Sequence, residues 1–264
     1  MNERTESRNL ATGGKSDTKA LAFYTPYGWM GKLGIICPST NTSIEPEFNR
    51  MAPEGIAIHV ARAFQDGAQK DELYKQIASN VQRASHDLAS AKVDVIAFGC
   101  TSCTYFVPAE ELKATMTRET GVPAIVTSEA VVDAMRALGA RRIALATPRT
   151  EFVNRKEVSW LEEQGFQVTS YHGLQLGETA EERFNIGRVP HDVAFRLAKM
   201  VDRPDADLVF ISCTNLPSLQ VIARIEQEIG KPVVTSNQAT MWRCLRTLGL
   251  NVRVQGFGRL LQEL

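Results

Sequence analysis

The sequence predicts an α/β protein of two similar lobes, each a parallel sheet covered by helices, and three observations lead to this fold class. Apolar runs such as KVDVIAF at 92–98 and ADLVFIS at 206–212 lack strict alternation, which is typical of strands buried on both faces of a parallel sheet. Segments of helical periodicity separate these runs, as expected where helices connect parallel strands. Finally, the whole pattern occurs twice along the chain.

The repeat is visible in four pairs of segments. GKLGIICPST (31–40) corresponds to RRIALATPRT (141–150), KVDVIAFGCTSC (92–103) to ADLVFISCTNL (206–216), GVPAIVTSEA (121–130) to GKPVVTSNQA (230–239), and AVVDAMRALGARR (130–142) to ATMWRCLRTLGLNVR (239–253). Each half is therefore predicted to run strand, loop, helix, strand, Cys loop, helix, strand, Thr-Ser loop, helix.

Helical connectors account for three of the intervening segments. Apolar residues recur at helical spacing across 70–91 and 190–202. A third helix is predicted over 217–229, since Pro217 opens it and Gly230 follows its end.

The repeat divides the chain into a first lobe over 31–140 and a second lobe over 141–250. A disordered polar tail is expected at 1–30, and the C-terminal segment 251–264 is expected to pack back on the first lobe. Open parallel sheets bind ligands at the carboxyl ends of their strands. We therefore expect an active site in the cleft between the lobes, with Cys100 and Cys213 facing each other across it.

Composition limits the classes of partner. Lysine plus arginine and aspartate plus glutamate both count 30, so the formal net charge is zero and no basic field attracts nucleic acid or an anionic membrane. The chain has no apolar run long enough to span a bilayer, and residues 1–20 lack the apolar core of a signal peptide. We expect a cytoplasmic protein with no nucleic-acid or membrane partner and with its five cysteines reduced.

Paired thiols suggest the chemistry. Two thiols flanking a substrate can move a proton from one face to the other, or one can add to an activated double bond while the other handles the proton. Neither scheme needs a metal or a nucleotide, so no cofactor is expected. Cys213 is predicted to be the better placed for ionisation, because the helix at 217–229 begins just after it.

Polar loops offer donors for a substrate carboxylate and the charge that develops on it. The candidates are Ser39, Thr40, Asn41, Thr42, Thr127, Ser128, Thr214, Asn215, Thr235 and Ser236.

Five motifs, taken in order, resemble the maleate cis-trans isomerase branch of the aspartate/glutamate racemase superfamily, to which arylmalonate decarboxylases also look related. They are PSTNT (38–42), GCTS (99–102), NIGRVP (185–190), SCTNL (212–216) and VVTS (233–236), and the resemblance covers roughly residues 32–248. It implies that Cys100 is the nucleophile, that Cys213 is its acid/base partner, and that the assembly is a homodimer or higher homo-oligomer. Asn41 and Asn185 would bind the substrate carboxylates, and the further candidate contacts are Ser39, Thr101, Ser102, Thr214 and Thr235.

Two details refine the resemblance. Arylmalonate decarboxylases keep only the equivalent of Cys213, so the presence of Cys100 favours isomerisation or racemisation. Arg149 stands where the branch usually has an active-site tyrosine. It either replaces that contact, binds a different acid through its bidentate fork, or points into solvent.

The function predicted from the sequence is isomerisation of a small carboxylic acid, most simply maleate to fumarate. The alternatives are a racemase for an amino acid or related carbon acid, then a malonate-type decarboxylase, and, outside the enzymes, a dicarboxylate-binding protein. The C-x-x-C formed by Cys100 and Cys103 also permits a redox or metal role, but no second cluster accompanies it. Cys103 is therefore expected to be dispensable, and Cys37 and Cys244 to be core residues.

Overall fold

The computed structural model describes residues 27–68 and 70–263, so the tail predicted at 1–30 lies outside the described residues except for 27–30. The strands are β1 (Gly31–Pro38), β2 (Ile56–Ala63), β3 (Val95–Phe98), β4 (Ala124–Val126), β5 (Arg142–Thr147), β6 (Gln167–Gly173), β7 (Leu208–Ile211) and β8 (Val233–Thr235). The helices are α1 (Ile44–Met51), α2 (Asp71–Ser79), α3 (Val81–Ser90), α4 (Ala109–Thr120), α5 (Thr127–Ala137), α6 (Glu151–Glu163), α7 (Ala180–Asn185), α8 (His191–Val201), α9 (Ile222–Ile229), α10 (Ser236–Thr247) and α11 (Arg259–Glu263), with 3₁₀ turns at Ser102–Tyr105, Ile186–Arg188 and Leu219–Val221. Within the described ranges, no helix is both long enough and apolar enough to cross a membrane.

The strands form two four-stranded sheets with the same topology. The first has the order β2-β1-β3-β4 and the second β6-β5-β7-β8, and every pairing in both is parallel. The predicted fold class of two similar lobes with parallel sheets is therefore confirmed. Because all strands of a sheet point the same way, the loops after β1, β3, β5 and β7 gather at the carboxyl edges.

The edge strands β2 and β6 were not among the three strands predicted for each half. Their sequences, IAIHVARA and QVTSYHG, mix polar and apolar residues, and most of their side chains are partly exposed. β2 and β6 are partly exposed, unlike the buried edge strands β4 and β8 at the opposite ends, so they lack a continuous apolar run.

Two predicted helices are divided in the structure. The segment 70–91 forms α2 and α3, which meet at Asn80. The segment 217–229 begins as the 3₁₀ turn Leu219–Val221 and continues as α9, which ends at Gly230 in the left-handed conformation with φ 72°. The first regular helical turn therefore lies several residues beyond Cys213.

The two lobes exchange their last helices. The side chains of Val131, Val132 and Met135 on α5 are buried in one apolar cluster with Leu145 and Phe210 of the second sheet. The helix that follows the last strand of the first sheet thus covers a face of the second sheet.

The counterpart helix α10 completes the exchange. It packs against α1 and against β3 and β4 of the first sheet, and Met241 and Leu245 are buried in the cluster that contains Leu33 and Val95. The helices α5 and α10 also pack against each other. Neither sheet is covered by its own half alone, so the two cores form one unit.

The C-terminal segment packs on the second lobe, contrary to the expectation that 251–264 returns to the first. Leu260 joins the cluster beneath the second sheet, and the backbone N–H of Arg259 donates to the carboxylate of Glu226 on α9. Gly258, with φ 85°, lets the chain approach closely, since a Cβ there would lie 2.5 Å from Ile222. A buried carboxylate that needs donors therefore fixes this segment.

Candidate active site

One cavity lies where the loops from both sheets meet, and it contains both of the matched thiols of the repeat. Its walls include Asn41, Tyr74 and Cys100 from the first half and Arg149, Arg183 and Cys213 from the second. Its volume is about 50 Å³. An ordered water needs roughly 10–15 Å³ of such a cavity, so the site fits a small organic acid.

Cys100 follows β3 by two residues and is 7% exposed. The pKa of its thiol is lowered to about 7, first by a hydrogen bond from the Cys103 thiol and then by the positive charge of Arg149, against the opposing effect of burial. The 3₁₀ turn at Ser102–Tyr105 begins immediately after it, and its sulfur lies 4.0 Å from Ser102 Oγ. A substantial fraction of Cys100 is therefore thiolate at neutral pH.

Cys213 occupies the same position after β7 but has the opposite electrostatics. Burial raises the pKa of its thiol, and the nearby Arg149 only partly offsets this effect. The prediction that Cys213 is the better placed for ionisation is therefore wrong, because its following helix starts too late to reach it. Its backbone has φ 104°, a conformation that residues other than glycine seldom adopt and that tends to mark functional sites.

Arg149 enters the cavity, which resolves the three placements left open by the sequence. It follows β5, is 4% exposed, and donates from Nη1 to Ser102 Oγ at 2.6 Å. Its positive charge acts on both cysteines. A fixed cation thus lines the same cavity as both thiols, where it would attract an anionic substrate.

Behind Arg149 lies a fully buried carboxylate. Glu157 on α6 accepts a hydrogen bond from Tyr105 Oη at 2.9 Å, and its Oε2 is 3.8 Å from Arg149 Nε. That separation is longer than a hydrogen bond, and both of these atoms lack a hydrogen-bond partner among the described residues. Burial raises the pKa of Glu157, while the positive charge of Arg149 opposes that shift.

The threonine that follows each cysteine donates a hydrogen bond to the opposite half of the chain. Thr101 Oγ1 donates to Ser236 Oγ at 2.8 Å, and Ser236 Oγ also accepts from the backbone N–H of Cys213 at 3.0 Å. In the other direction, Thr214 Oγ1 donates to the carbonyl of Gly99 at 2.9 Å. These reciprocal hydrogen bonds hold the two cysteine loops against each other.

Asn41 lies at the cavity wall, where its side chain also organises the backbone. Its Oδ1 accepts from the N–H groups of Ser43 and Ile44, which satisfies the start of α1. Its Nδ2 donates to Thr214 Oγ1 at 3.0 Å. The second proton of this amide remains for a ligand.

Several candidates from the sequence do not line the cavity; besides Thr101, described above, these are Ser39, Thr42, Thr127, Ser128, Asn185, Thr235 and Ser236. Ser39 Oγ accepts from the backbone N–H of Gln65, and Thr235 caps α10 in a capping box with Gln238. Asn185 ends α7 half-buried, outside the cavity wall. Its assignment as a carboxylate ligand stays a prediction.

Sequence reasoning missed two wall residues that carry useful groups. Tyr74 on α2 is 2% exposed and stacks on Phe106 with ring centroids 4.1 Å apart. Arg183 on α7 is 6% exposed and reaches the first half through Thr40. Their positions in helices of mixed polarity gave no signal for either, although Arg183 lies just before the NIGRVP motif.

The remaining cysteines divide into two kinds. Cys37 and Cys244 are fully buried in the core, as expected, and burial raises their pKa values to about 11 and about 12. Cys103 is buried beside Cys100, and its thiol also lies 3.5 Å from the carbonyl of Tyr74, which competes with Cys100 for its one proton. Its pKa is raised well above the ordinary value by its interaction with Cys100 and by burial. Cys103 is thus placed to stabilise the Cys100 thiolate, which argues against its expected dispensability. Over the described ranges, no group of three or more His, Cys, Asp or Glu side chains is arranged to hold a metal ion.

Comparison with known proteins gives one family and several similar chains. The sequence model of the arylmalonate decarboxylase family matches residues 33–261. Maleate isomerases from Pseudomonas putida and Geobacillus stearothermophilus are 30% and 28% identical over 247 residues, which cover 87% of this chain and 96% of each relative. The crystal structure of the maleate isomerase of Pseudomonas putida S16 with maleate is 26% identical, with a TM-score of 0.80 over 88% of this chain and 97% of that one. These similarities confirm the resemblance inferred from the five motifs.

Proposed function

We propose that this chain, which belongs to the arylmalonate decarboxylase family, is a cofactor-independent isomerase that converts a small cis-dicarboxylic acid, most simply maleate, to its trans isomer. The observation that carries the proposal is the unequal pair of thiols on one small cavity. The pKa of Cys100 is lowered to about 7, so a substantial fraction of it is thiolate at neutral pH, whereas burial raises the pKa of Cys213 and favours its thiol form. One sulfur is thus ready to act as a nucleophile and the other as an acid.

The reaction begins when the Cys100 thiolate forms a C–S bond to one alkene carbon. The π-electron pair moves to the neighbouring carbon and into its carboxylate, and the former double bond becomes a single bond that rotates. When the C–S bond breaks, its electron pair returns to sulfur and the carbanion pair restores the double bond, now trans. If Cys213 donates its proton to the carbanion, its thiolate removes a proton from the same carbon before elimination, so no net proton is consumed.

Arg149 supports the step in which negative charge accumulates on the substrate. It is a fixed cation whose charge acts on both sulfurs, and the nearest carboxylate in the described chain, Glu157, lies 3.8 Å away, beyond hydrogen-bond distance. A preorganised donor stabilises developing charge most strongly in a site with little water, and this cavity is almost entirely buried. Arg149 therefore stabilises the enediolate that thiolate addition creates.

A racemase exchanges the proton on the α-carbon with solvent, whereas isomerisation by thiolate addition and elimination does not require that exchange. The purified protein is incubated with maleate in D₂O and followed by proton NMR. The expected result is loss of the maleate alkene signal and appearance of the fumarate signal, with the Cys100→Ala variant inactive. Absence of any fumarate, with deuterium exchange at the α-carbon of an amino acid instead, would replace this proposal by the racemase.

A decarboxylase remains the second candidate, because the matching family model is that of arylmalonate decarboxylase. Loss of carbon dioxide from an arylmalonate, measured in the same preparation, tests it directly. A cytoplasmic location and a homodimeric or higher assembly stay predictions, and the free state of all five thiols is in keeping with the first.

A further inference from the structure

Two arginines line the cavity, and each keeps unused hydrogen-bond donors. Arg149 Nη1 bonds Ser102, while Arg183 donates from Nε to the carbonyl of Gly67 at 2.7 Å and from Nη1 to Thr40 Oγ1 at 2.7 Å. A guanidinium has five N–H groups, so most of those on Arg149 and three of those on Arg183 have no such partner among the described residues.

Within the described part of the chain, neither cation has a carboxylate at hydrogen-bond distance. Arg149 meets only Glu157 at 3.8 Å, and no carboxylate of the described residues lies within 4.0 Å of Arg183. Taking a charge out of water costs free energy unless a partner compensates for it. Both side chains are more than nine-tenths buried, so an anionic ligand is the partner that this arrangement requires.

Tyr74 supplies an uncommitted donor in the same wall. Its hydroxyl is buried and has no hydrogen-bond partner among the described residues. Burial raises its pKa, so the hydroxyl keeps its proton. A buried hydroxyl of this kind usually finds a partner, and a ligand carboxylate would accept its proton.

Resting on the proposed function, we infer that the cavity holds its substrate through two anion subsites, one at Arg149 with Tyr74 and one at Arg183 with Thr40. The anchor points of the arginines, Ser102 and Thr40, follow the neighbouring strands β3 and β1, so the subsites lie side by side at one sheet edge. The arginines offset two of the three negative charges that a bound diacid and the Cys100 thiolate bring together. The enzyme therefore selects dicarboxylates over monocarboxylates, and Arg183 and Tyr74 set that selectivity.

Protection of Cys100 from alkylation tests the inference without requiring turnover. Iodoacetamide is the probe, since it is neutral, and succinate and butyrate are the protecting ligands, a dianion and a monoanion with equal numbers of carbon atoms. Succinate is expected to protect the wild-type protein at concentrations at which butyrate does not. Arg183→Gln should weaken protection by succinate about 10- to 100-fold while changing that by butyrate little, and Tyr74→Phe should weaken it about 10-fold.

The matched control is Arg188→Gln, because Arg188 is exposed on the same segment and contacts Phe184 instead of the cavity. Arg183→Lys keeps the charge and should retain more protection than Arg183→Gln, which separates charge from any loosening of the Gly67 contact. Equal protection by succinate and butyrate in the wild type, or unchanged protection by succinate in a folded Arg183→Gln variant, overturns the inference. Arg183-dependent protection without fumarate formation would instead sustain the subsites and remove the proposed isomerisation.

Discussion

The cysteine loops of the two halves start from the same strand position and differ in the residues that come after the cysteine. After β3 the chain turns at once into the 3₁₀ helix that carries Ser102 and Cys103, and both of these side chains support a negative sulfur. After β7 the corresponding residues are Asn215 and Leu216, and no second thiol is present. The duplicated fold therefore supplies the position of each sulfur, while a few loop residues decide which of them ionises.

Arg149 does not create the inequality between the thiols. Its charge lowers the pKa of both thiols, yet only Cys100 also receives the hydrogen bond from Cys103. A reaction that needs one base and one acid benefits from this arrangement, because equal thiols would spend most of their time in the wrong combined state. Replacing the thiols tests this division of roles, and replacing apolar side chains in the exchanged helices tests whether the two lobes depend on each other for stability.

Replacement of each catalytic cysteine should give the largest effects. Cys100→Ala should lower kcat/KM for maleate more than about 10,000-fold because the covalent step is lost. Cys213→Ala should lower it by about 100- to 10,000-fold, the usual contribution of an acid/base group. Both values are obtained from the rate of fumarate formation.

Alkylation distinguishes the two roles independently of turnover. At neutral pH, iodoacetamide should modify Cys100 in the Cys213→Ala variant and leave Cys213 largely unmodified in the Cys100→Ala variant, as read by mass spectrometry of peptides. Preferential modification of Cys213 would reverse the assignment of nucleophile and acid.

The exchanged helices should make the two lobes equally dependent on each other. Met135→Ala on α5 and Leu245→Ala on α10 each remove a buried apolar side chain from the helix that covers the opposite sheet. Each should reduce the free energy of unfolding by about 2–5 kcal/mol. Denaturant unfolding followed by circular dichroism should keep a single transition in both variants, whereas two separated transitions would show that the lobes fold independently.

Loss of Cys103 should have the smallest effect, on pH dependence. The alkylation rate of Cys100 should rise with pH around a midpoint of about 7 in the wild type, because the thiolate is the reactive form. Cys103→Ala removes a donor to that thiolate, so the midpoint should move to higher pH and the rate at pH 7 should fall about 5- to 10-fold. At high pH the rates should converge.

Cys244→Ala is the matched control for this change, since Cys244 is fully buried in the core away from the cavity. In this variant, the pH midpoint of Cys100 alkylation should equal that of the wild type. An unshifted midpoint in Cys103→Ala would restore the expectation that Cys103 is dispensable.

Patterns that repeat along the chain made most of the fold predictable. The paired apolar runs located β1, β3, β4, β5, β7 and β8, and the matched cysteines located the cavity, because strand order and strand ends are set by topology. The edge strands β2 and β6 and the helix exchange were not predictable, since both depend on which surfaces remain uncovered once the sheets have formed. A helix such as α5 has an apolar face suited to either sheet.

The site was predictable at its centre and less so at its walls. Cys100, Cys213, Asn41 and Arg149 all reach the cavity, but the sequence alone could not rank the two thiols. That ranking depends on where helical turns begin and on contacts of Cys103 and Arg149, which arise only in three dimensions. The contributions of Tyr74 and Arg183 were also not predictable, because the sequence does not show which face of α2 or α7 turns toward the cavity.

The exchange of α5 and α10 also bears on how the chain is made. A growing polypeptide emerges from the ribosome with its N-terminal part first, and domains ordinarily fold in that sequence. Here the part of the first sheet over β3 and β4 stays uncovered until residues 236–247 are synthesised, because α10 packs there while α1 packs on the rest of that face. Until α10 emerges, the nascent chain therefore exposes part of that apolar face, which chaperones that shield apolar surface would bind.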